Sequence, residues 1–232
     1  MHYGRVFVLL FGLVTSLSAF ADSGIAMSST RVIYNADKKE AAMTVQNRGK
    51  TSAYLVQSWI DDANEKKNPA FVVTPPLFRI EPGKENMLRI VRVGGTLPED
   101  RESIFWLNVK AIPPAAQADA NTLQLAIKTR MKLFYRPAGL KGNPADAYKQ
   151  LVWSSSGGKV QVSNSSPYNV VLAQVNISGK EVKNDSVDFV PAKGTLNITL
   201  PANTNAGPGS KVAFKIISDF GGNSGPYNAS VQ

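Results

Sequence analysis

Ser156-Gly157-Gly158-Lys159 has the S-x-x-K spacing with which penicillin-recognising enzymes bring a lysine to a nucleophilic serine. That chemistry needs the serine at a helix start, the lysine one turn on, and companion S-D-N and K-T-G motifs. Here the tetrad lies between two short β-favouring runs without a companion motif, so it reads as a hairpin turn. Asp61-Asp62-Ala63-Asn64-Glu65 gathers oxygen donors but lacks the D-x-[DN]-x-[DN]-G-x5-E spacing that wraps a calcium ion, and it reads as a solvated turn. Two absences remove most other chemistry. The chain has no Cys, and its single His is His2. Ser-His-Asp catalysis, thiol nucleophiles and zinc or copper sites built on His or Cys are excluded once His2 leaves with the leader described below. No catalytic residue, cofactor or metal is expected, and the chain reads as a non-enzyme.

The charged residues with a pattern are those of "IKTRMKLFYRP", Ile127 to Pro137, which holds Lys128, Arg130, Lys132 and Arg136 within nine residues. "NTLQLA" precedes it and alternates polar with apolar side chains. Together they predict one long strand over Leu123–Tyr135 with an aliphatic start and a basic middle. Alternation puts Leu123, Leu125, Ile127, Thr129, Met131, Leu133 and Tyr135 on one face and Lys128, Arg130 and Lys132 on the other. Three cations on one face do not suit a strand covered on both sides, so the strand is expected at a sheet edge. Long aliphatic edges invite strand addition by another chain.

The elements that must position this strand are themselves β. Val32–Tyr34, Ala42–Val45, Tyr54–Ile60, Phe71–Thr74, Met87–Val93 and Ile104–Ile112 are short β-favouring runs separated by turn residues, the pattern of an immunoglobulin-like sandwich. In "TSAYLVQSWI", Tyr54, Val56 and Ser58 fall on one face, with Leu55, Gln57 and Trp59 on the other. Thr74-Pro75-Pro76 and Ile112-Pro113-Pro114 stop strands, because proline cannot donate to a ladder. After the connection "AGLKGNPADAYKQ" the composition shifts toward Asn, Ser and Gly. Strands resume over Leu151–Trp153, Val160–Val162, Val170–Ile177, Val187–Val190, Leu196–Leu200 and Val212–Ile217, giving a second sandwich that ends in the Gly-rich tail "GGNSGPYNASVQ". The expectation is all-β with two immunoglobulin-like domains, 22–142 and 143–232.

Residues 1–21 are read as a secretory signal peptide: Arg5, an apolar run Val6–Val14 and the small-x-small site Ala19-Phe20-Ala21. Cleavage would place the mature start at Asp22 and the product outside the cytoplasm. The formal net charge is +9 with Lys and Arg scattered, which disfavours nucleic acid and favours an acidic partner or one presenting anionic groups.

"TRVIY" (Thr30–Tyr34), "TPPLFRIEPG" (Thr74–Gly83), "LPEDRESIFWLNVKAIPP" (Leu97–Pro114) and "LQLAIKTRMKLFYRP" (Leu123–Pro137) occur in this order. With them the chain resembles the PapD-like periplasmic pilus chaperones, which escort fimbrial subunits in Gram-negative bacteria. The resemblance implies two immunoglobulin-like domains set in an L around a cleft, and a periplasmic location. It implies a chaperone that folds and caps incomplete subunits by lending its own strand, then delivers them to an outer-membrane usher, with no small-molecule substrate. Carried over position by position, Leu123, Leu125 and Ile127 would be the donor strand, and Arg31 and Lys132 the anchor for the subunit's C-terminal carboxylate. Glu102, Arg136 and Asp219 would bridge the domains; Asp219 sits in "ISDFGG", close to the family's usual form. The short loop "AIPPAAQADANT" and the absence of cysteine match the short-loop subclass. Lys132 and Ile127 have opposite parity, so either twist or a bulge intervenes or they meet different parts of the partner.

Two other classes of protein fit these residues less well. A pilus subunit should carry an N-terminal donor extension and usually cysteines, whereas only "DSGIAMSS" separates Ala21 from the first strand. A carboxylate glycosidase has no support beyond the presence of acids. An exposed aliphatic edge also leaves the free protein open to capping by a second copy.

Overall fold

The computed structural model describes residues 24–115, 123–156, 159–183, 187–204 and 206–232; the stretch 1–21 read as a signal peptide, most of the loop before the basic strand and positions 157–158 of the Ser156–Lys159 tetrad lie outside the described residues. The first domain holds β1 (Ile25–Met27), β2 (Arg31–Asn35), β3 (Ala41–Asn47), β4 (Tyr54–Asp61), β5 (Phe71–Thr74), β6 (Leu77–Ile80), β7 (Glu85–Arg92), β8 (Ser103–Ile112) and β9 (Ile127–Arg136). A sheet in the order β1-β3-β7-β5 packs on a second in the order β2-β9-β8-β4-β6. Period-two alternation drives the packing. Val56, Leu107, Val109 and Leu133 from one sheet meet Val45, Leu88 and Ile90 from the other in a closed core.

The second domain holds β10 (Leu151–Ser156), β11 (Lys159–Asn164), β12 (Val170–Ile177), β13 (Lys180–Glu181), β14 (Phe189–Val190), β15 (Gly194–Ile198), β16 (Lys211–Ile217) and β17 (Asn223–Ser230). A sheet β10-β11-β15 faces β13-β12-β16-β17, with β14 also paired to β12. Trp153, Val162, Val175, Ile177, Ile198 and Phe214 fill its centre. The two-sandwich, all-β architecture is as the sequence reads.

The basic strand differs from its expectation in two respects, and in a third it keeps the alternation read from the sequence. It begins at Ile127, not Leu123; Leu123–Ala126 form no strand. Nor is it an edge along its whole length. From Lys132 to Arg136 it lies between β2, which runs parallel to it (Arg31↔Lys132 to Asn35↔Arg136), and antiparallel β8. From Ile127 to Met131 β8 alone accompanies it among the described residues. The cause is the path of the first strand: β1 pairs with β3 in the opposite sheet, and the chain crosses at Ser28–Thr30 before entering as β2. Finally, the β8–β9 register runs without a shift from Ala111↔Ile127 to Ser103↔Tyr135. The opposite parity of Ile127 and Lys132 is therefore real, and no bulge reconciles them.

Other departures are local. β5 stops at Thr74 as the proline pair implies, and a further strand, β6, starts at Leu77 beyond the cis Thr74–Pro75 bond and Pro76. The connection 137–150 ends in a 3-10 turn, Pro144–Gln150, capped by Asn143 Oδ1 accepting from Ala145 N–H at 2.9 Å. The Gly-rich tail contains β17, an outer strand on which proline is tolerated because no partner lies beyond it.

The two ends of β9 should respond oppositely to truncation. Leu133 is fully enclosed in the core, so Leu133→Ala should lose about 2–5 kcal/mol in urea melts. Leu125, just before β9, is 65% exposed, so Leu125→Ala should change stability by less than about 0.5 kcal/mol.

Candidate functional site

Leu123, Leu125 and Ile127 stand 84%, 65% and 66% exposed in a row beside the unpaired half of β9. Leu125, Ile127 and Thr129 border a small cavity of about 80 Å³ with Ile25, Met27, Tyr54 and Val109, at the open end of the first sandwich. An added strand would therefore find unpaired backbone groups along Ile127–Met131 and apolar side chains beside them.

At Lys132 the edge closes, because β2 begins there with Arg31 as the register partner. Neighbouring strands lie about 4.8 Å apart, so the two cations stand side by side where the free edge ends. Arg31 is largely buried, and burial pulls its guanidinium down against the opposing field of Asp219. It donates at 3.4 Å to the Ile217 carbonyl, while its Nε is buried without an acceptor among the described residues. Lys132 Nζ lies 2.5 Å from Asp188 Oδ1, in the second domain. The two cations thus sit at the domain boundary with unused donor capacity, suited to an anion.

Four residues further on, Arg136 ties the domains together. Its Nε donates to Glu102 Oε1 at 2.6 Å and its Nη2 lies 2.9 Å from Asp219 Oδ2, with the guanidinium 5.4 Å from the Tyr168 ring centre. Glu102 Oε2 accepts from Asn169 N–H at 2.9 Å and Asn169 Nδ2 at 3.1 Å, and the Glu102 N–H donates to the Pro167 carbonyl at 2.9 Å. Burial pushes the Glu102 carboxyl up, against the pull of Arg136 and the Asn169 donors. Burial would lower Arg136, but Glu102 and Asp219 outweigh it and hold the guanidinium above its usual value. Tyr168 Oη lies 3.3 and 3.2 Å from the Leu140 and Gly142 carbonyls of the connection, which share its one proton. Gly221 (φ +85°) faces Thr30 so closely that a Cβ would lie 2.5 Å from its Oγ1. The second domain thus rests on the strand crossing itself.

Residues 24–141 match the family described as "Pili and flagellar-assembly chaperone, PapD N-terminal domain", and residues 146–228 match "Pili assembly chaperone PapD, C-terminal domain". The chain belongs to the PapD family of pilus-assembly chaperones. It is 51% identical to Chaperone protein LpfB of Salmonella typhimurium over 201 residues, 85% of each chain. It is 38% identical to Chaperone protein FimC of Escherichia coli over 222 residues, 93% of this chain and 89% of that one. Among solved structures it superimposes with a TM-score of 0.80, at 35% identity, on a chain of the Salmonella enterica SafA pilin–SafB chaperone complex, covering 89% of this chain and 96% of that one. The E. coli chaperone DraB superimposes with a TM-score of 0.77 at 35% identity, covering 90% and 97%. PapD-family chaperones are non-catalytic assembly proteins of the periplasm. No helix among the described residues is long and apolar enough to cross a membrane, and no group of three or more Asp or Glu among them could hold a metal ion. The Asp61–Glu65 stretch is a turn, with Asp62 Oδ1 accepting from the Asn64 and Lys66 amides.

The structure brings Glu102, Arg136 and Asp219 into one bridge and sets Arg31 beside Lys132, while Leu123, Leu125 and Ile127 form a separate apolar row. Sequence reasoning missed three members of the site: Asn169, Tyr168 and Asp188. Each acts across the domain boundary, and no spacing on the chain signals such a contact.

The bridge generates a pH-dependent expectation. Arg136→Ala should destabilise the protein by about 3–5 kcal/mol at neutral pH, by leaving Glu102 buried and unpaired. Loss of Arg136 raises the Glu102 carboxyl further above its reference value of 4.5. A group raised on folding contributes stability that is present below its unfolded pKa and lost as pH rises through its folded pKa. The destabilisation should therefore be smaller near pH 4.5 than near pH 7.5 in paired urea melts. Equal losses at both pH values would show that Glu102 stays ionised without its partner. Replacing Asp219 as well as Arg136 should be milder than the sum of the single losses.

Proposed function

We propose that this chain is a periplasmic chaperone of fimbrial subunits that lends the free half of β9 to complete an unfinished subunit sandwich, and then passes the subunit to an outer-membrane usher. The observation that carries this reading is the coincidence of three features at one sheet edge: the unpaired backbone of Ile127–Met131, an exposed aliphatic row that leads into it, and a pair of cations, one on β2 and one on β9, where the edge ends.

Charge sets the direction of the added strand. A segment running parallel to β9 brings its C-terminal carboxylate to Arg31 and Lys132, in line with β2. An antiparallel segment would bring a chain's N-terminus or interior there. The carboxylate gains charge-assisted hydrogen bonds, each contributing about 1.5–3 kcal/mol. It also fixes register, since a chain has one C-terminus and a one-residue slip would turn every inserted side chain away from its pocket. On this reading Leu123, Leu125 and Ile127 fill subunit pockets while Lys132, of opposite parity, meets the terminus: they serve different parts of the partner. Glu102, Arg136 and Asp219 hold the second domain against the anchor. The boundary between 22–142 and 143–232 falls in the connection held by Tyr168, and without a subunit the same edge is open to a second copy of the chain.

Ile127→Asp should fold normally and lose subunit binding, because a buried aliphatic side chain contributes about 1.5–3 kcal/mol and a charge in an apolar pocket costs more. Co-purification of subunits with the variant from periplasm, beside its urea melt, checks this; an unfolded variant would make Ile127 core. Lys132→Ala or Arg31→Ala should fold yet weaken binding by about 2–5 kcal/mol. Amidating a peptide's C-terminal carboxyl should weaken its binding to the wild type and barely affect Lys132→Ala. Equal binding of free and amidated peptides by the wild type would refute the anchor.

A further inference from the structure

The anchor lysine is not empty-handed. Its Nζ lies 2.5 Å from Asp188 Oδ1 and 5.9 Å from the centre of the neighbouring Phe189 ring. Asp188 directly precedes β14, and its backbone carbonyl accepts from the Leu172 N–H at 2.9 Å, so its main chain is fixed to β12. Its side chain is half exposed. Arg31, in register with Lys132, has no carboxylate in contact among the described residues; Asp219 acts on it at longer range. The free protein therefore places an internal carboxylate on one of two adjacent cations, where an incoming terminal carboxylate would have to go.

We propose that Asp188 is an internal occupant of the carboxylate anchor, and that binding of a chain terminus at Lys132 is an exchange of one carboxylate for another. The inference rests on the reading of Lys132 as the anchor. An ammonium has three donors, so both carboxylates could bond it at once, but two anions in contact with one cation repel each other. Asp188 is the one that can leave: its half-exposed carboxylate returns to water with little loss, whereas a terminal carboxylate is held by the strand behind it. In the free protein Asp188 keeps Lys132 in place and offsets the repulsion between it and Arg31. In the complex it competes, and so lowers net affinity for any strand that ends in a carboxylate. The competition acts through charge, and an amidated terminus should escape it.

The test uses a synthetic peptide of alternating aliphatic and polar residues, long enough to pair with Ile127–Met131, as the free acid and as the C-terminal amide. Calorimetry compares wild type, Asp188→Asn, Lys132→Ala and the double variant, with urea melts to check folding and Asp188→Ser as a second probe of the position. Asp188→Asn should bind the free acid about two- to fivefold more tightly, the range of a partly exposed ion pair, and the amide unchanged. The gain should vanish in the Lys132→Ala background and shrink at high salt. If Asp188→Asn binds the free acid equally or more weakly while Lys132→Ala still loses it, the exchange is overturned and the anchor stands. If neither Lys132→Ala nor amidation weakens wild-type binding, the anchor itself fails and the exchange with it.

Discussion

The path of the first strand is the constraint on which the rest depends. β1 pairs with β3, and Ser28 is pinned there by its N–H donating to the Thr44 carbonyl at 3.0 Å while its Oγ accepts from the Thr44 N–H at 3.1 Å. Only after the crossing does the chain enter the other sheet as β2, five residues long, beside Lys132–Arg136. A β2 that continued straight back would cover Ile127–Met131 and bury the aliphatic row. The crossing thus creates the open edge, sets its end, and puts Arg31 at that end. Proteins ordinarily blunt or cover such edges, because unpaired ladder groups recruit other chains. Here the edge is kept at a defined length, with two cations where it ends.

The second domain contributes geometry. Arg136, at the end of the same strand, reaches Glu102 in the first domain and Asp219 in the second, while Glu102 also accepts from Asn169. A buried ion pair is weak evidence for stability, since desolvation of both charges offsets most of the attraction. Its value is positional: the charges are satisfied only at one relation of the two domains. That relation also sets Asp188 against Lys132 and Gly221 against Thr30. The edge, the Arg31–Lys132 cation pair and the domain relation are consequently coupled through one strand.

Most of the fold is legible in the sequence because alternation is strong wherever one strand face is buried, as in β4, where Tyr54 to Ile60 alternate as read. β17 is not legible. Its Asn, Ser, Gly and Pro are turn formers, and it is a strand because β16 offers it a ladder on one side. Gly225, at φ +111°, lies against the Phe214 carbonyl where the β16–β17 register shifts. The start of β9 is misread for the complementary reason: Leu123 and Leu125 alternate like strand residues, but among the described residues no strand pairs with them. The apolar row and the cations of the candidate site are visible in the chain, since their types are unusual together. Asn169, Tyr168 and Asp188 are not, because their roles exist only through the packing of one domain on the other.

The central claim is that a partner strand adds to Ile127–Met131 and stops at Lys132. Amide hydrogen exchange along β9, with and without a saturating subunit, tests it most directly. In the free protein the amides of Ile127–Met131 that do not face β8 should exchange quickly, and those of Lys132–Arg136, between two strands, slowly. On binding, the first set should become protected and the second stay as it was. Slow exchange of the first set in the free protein and no change on binding, or new protection confined to another edge such as β5, would contradict the account.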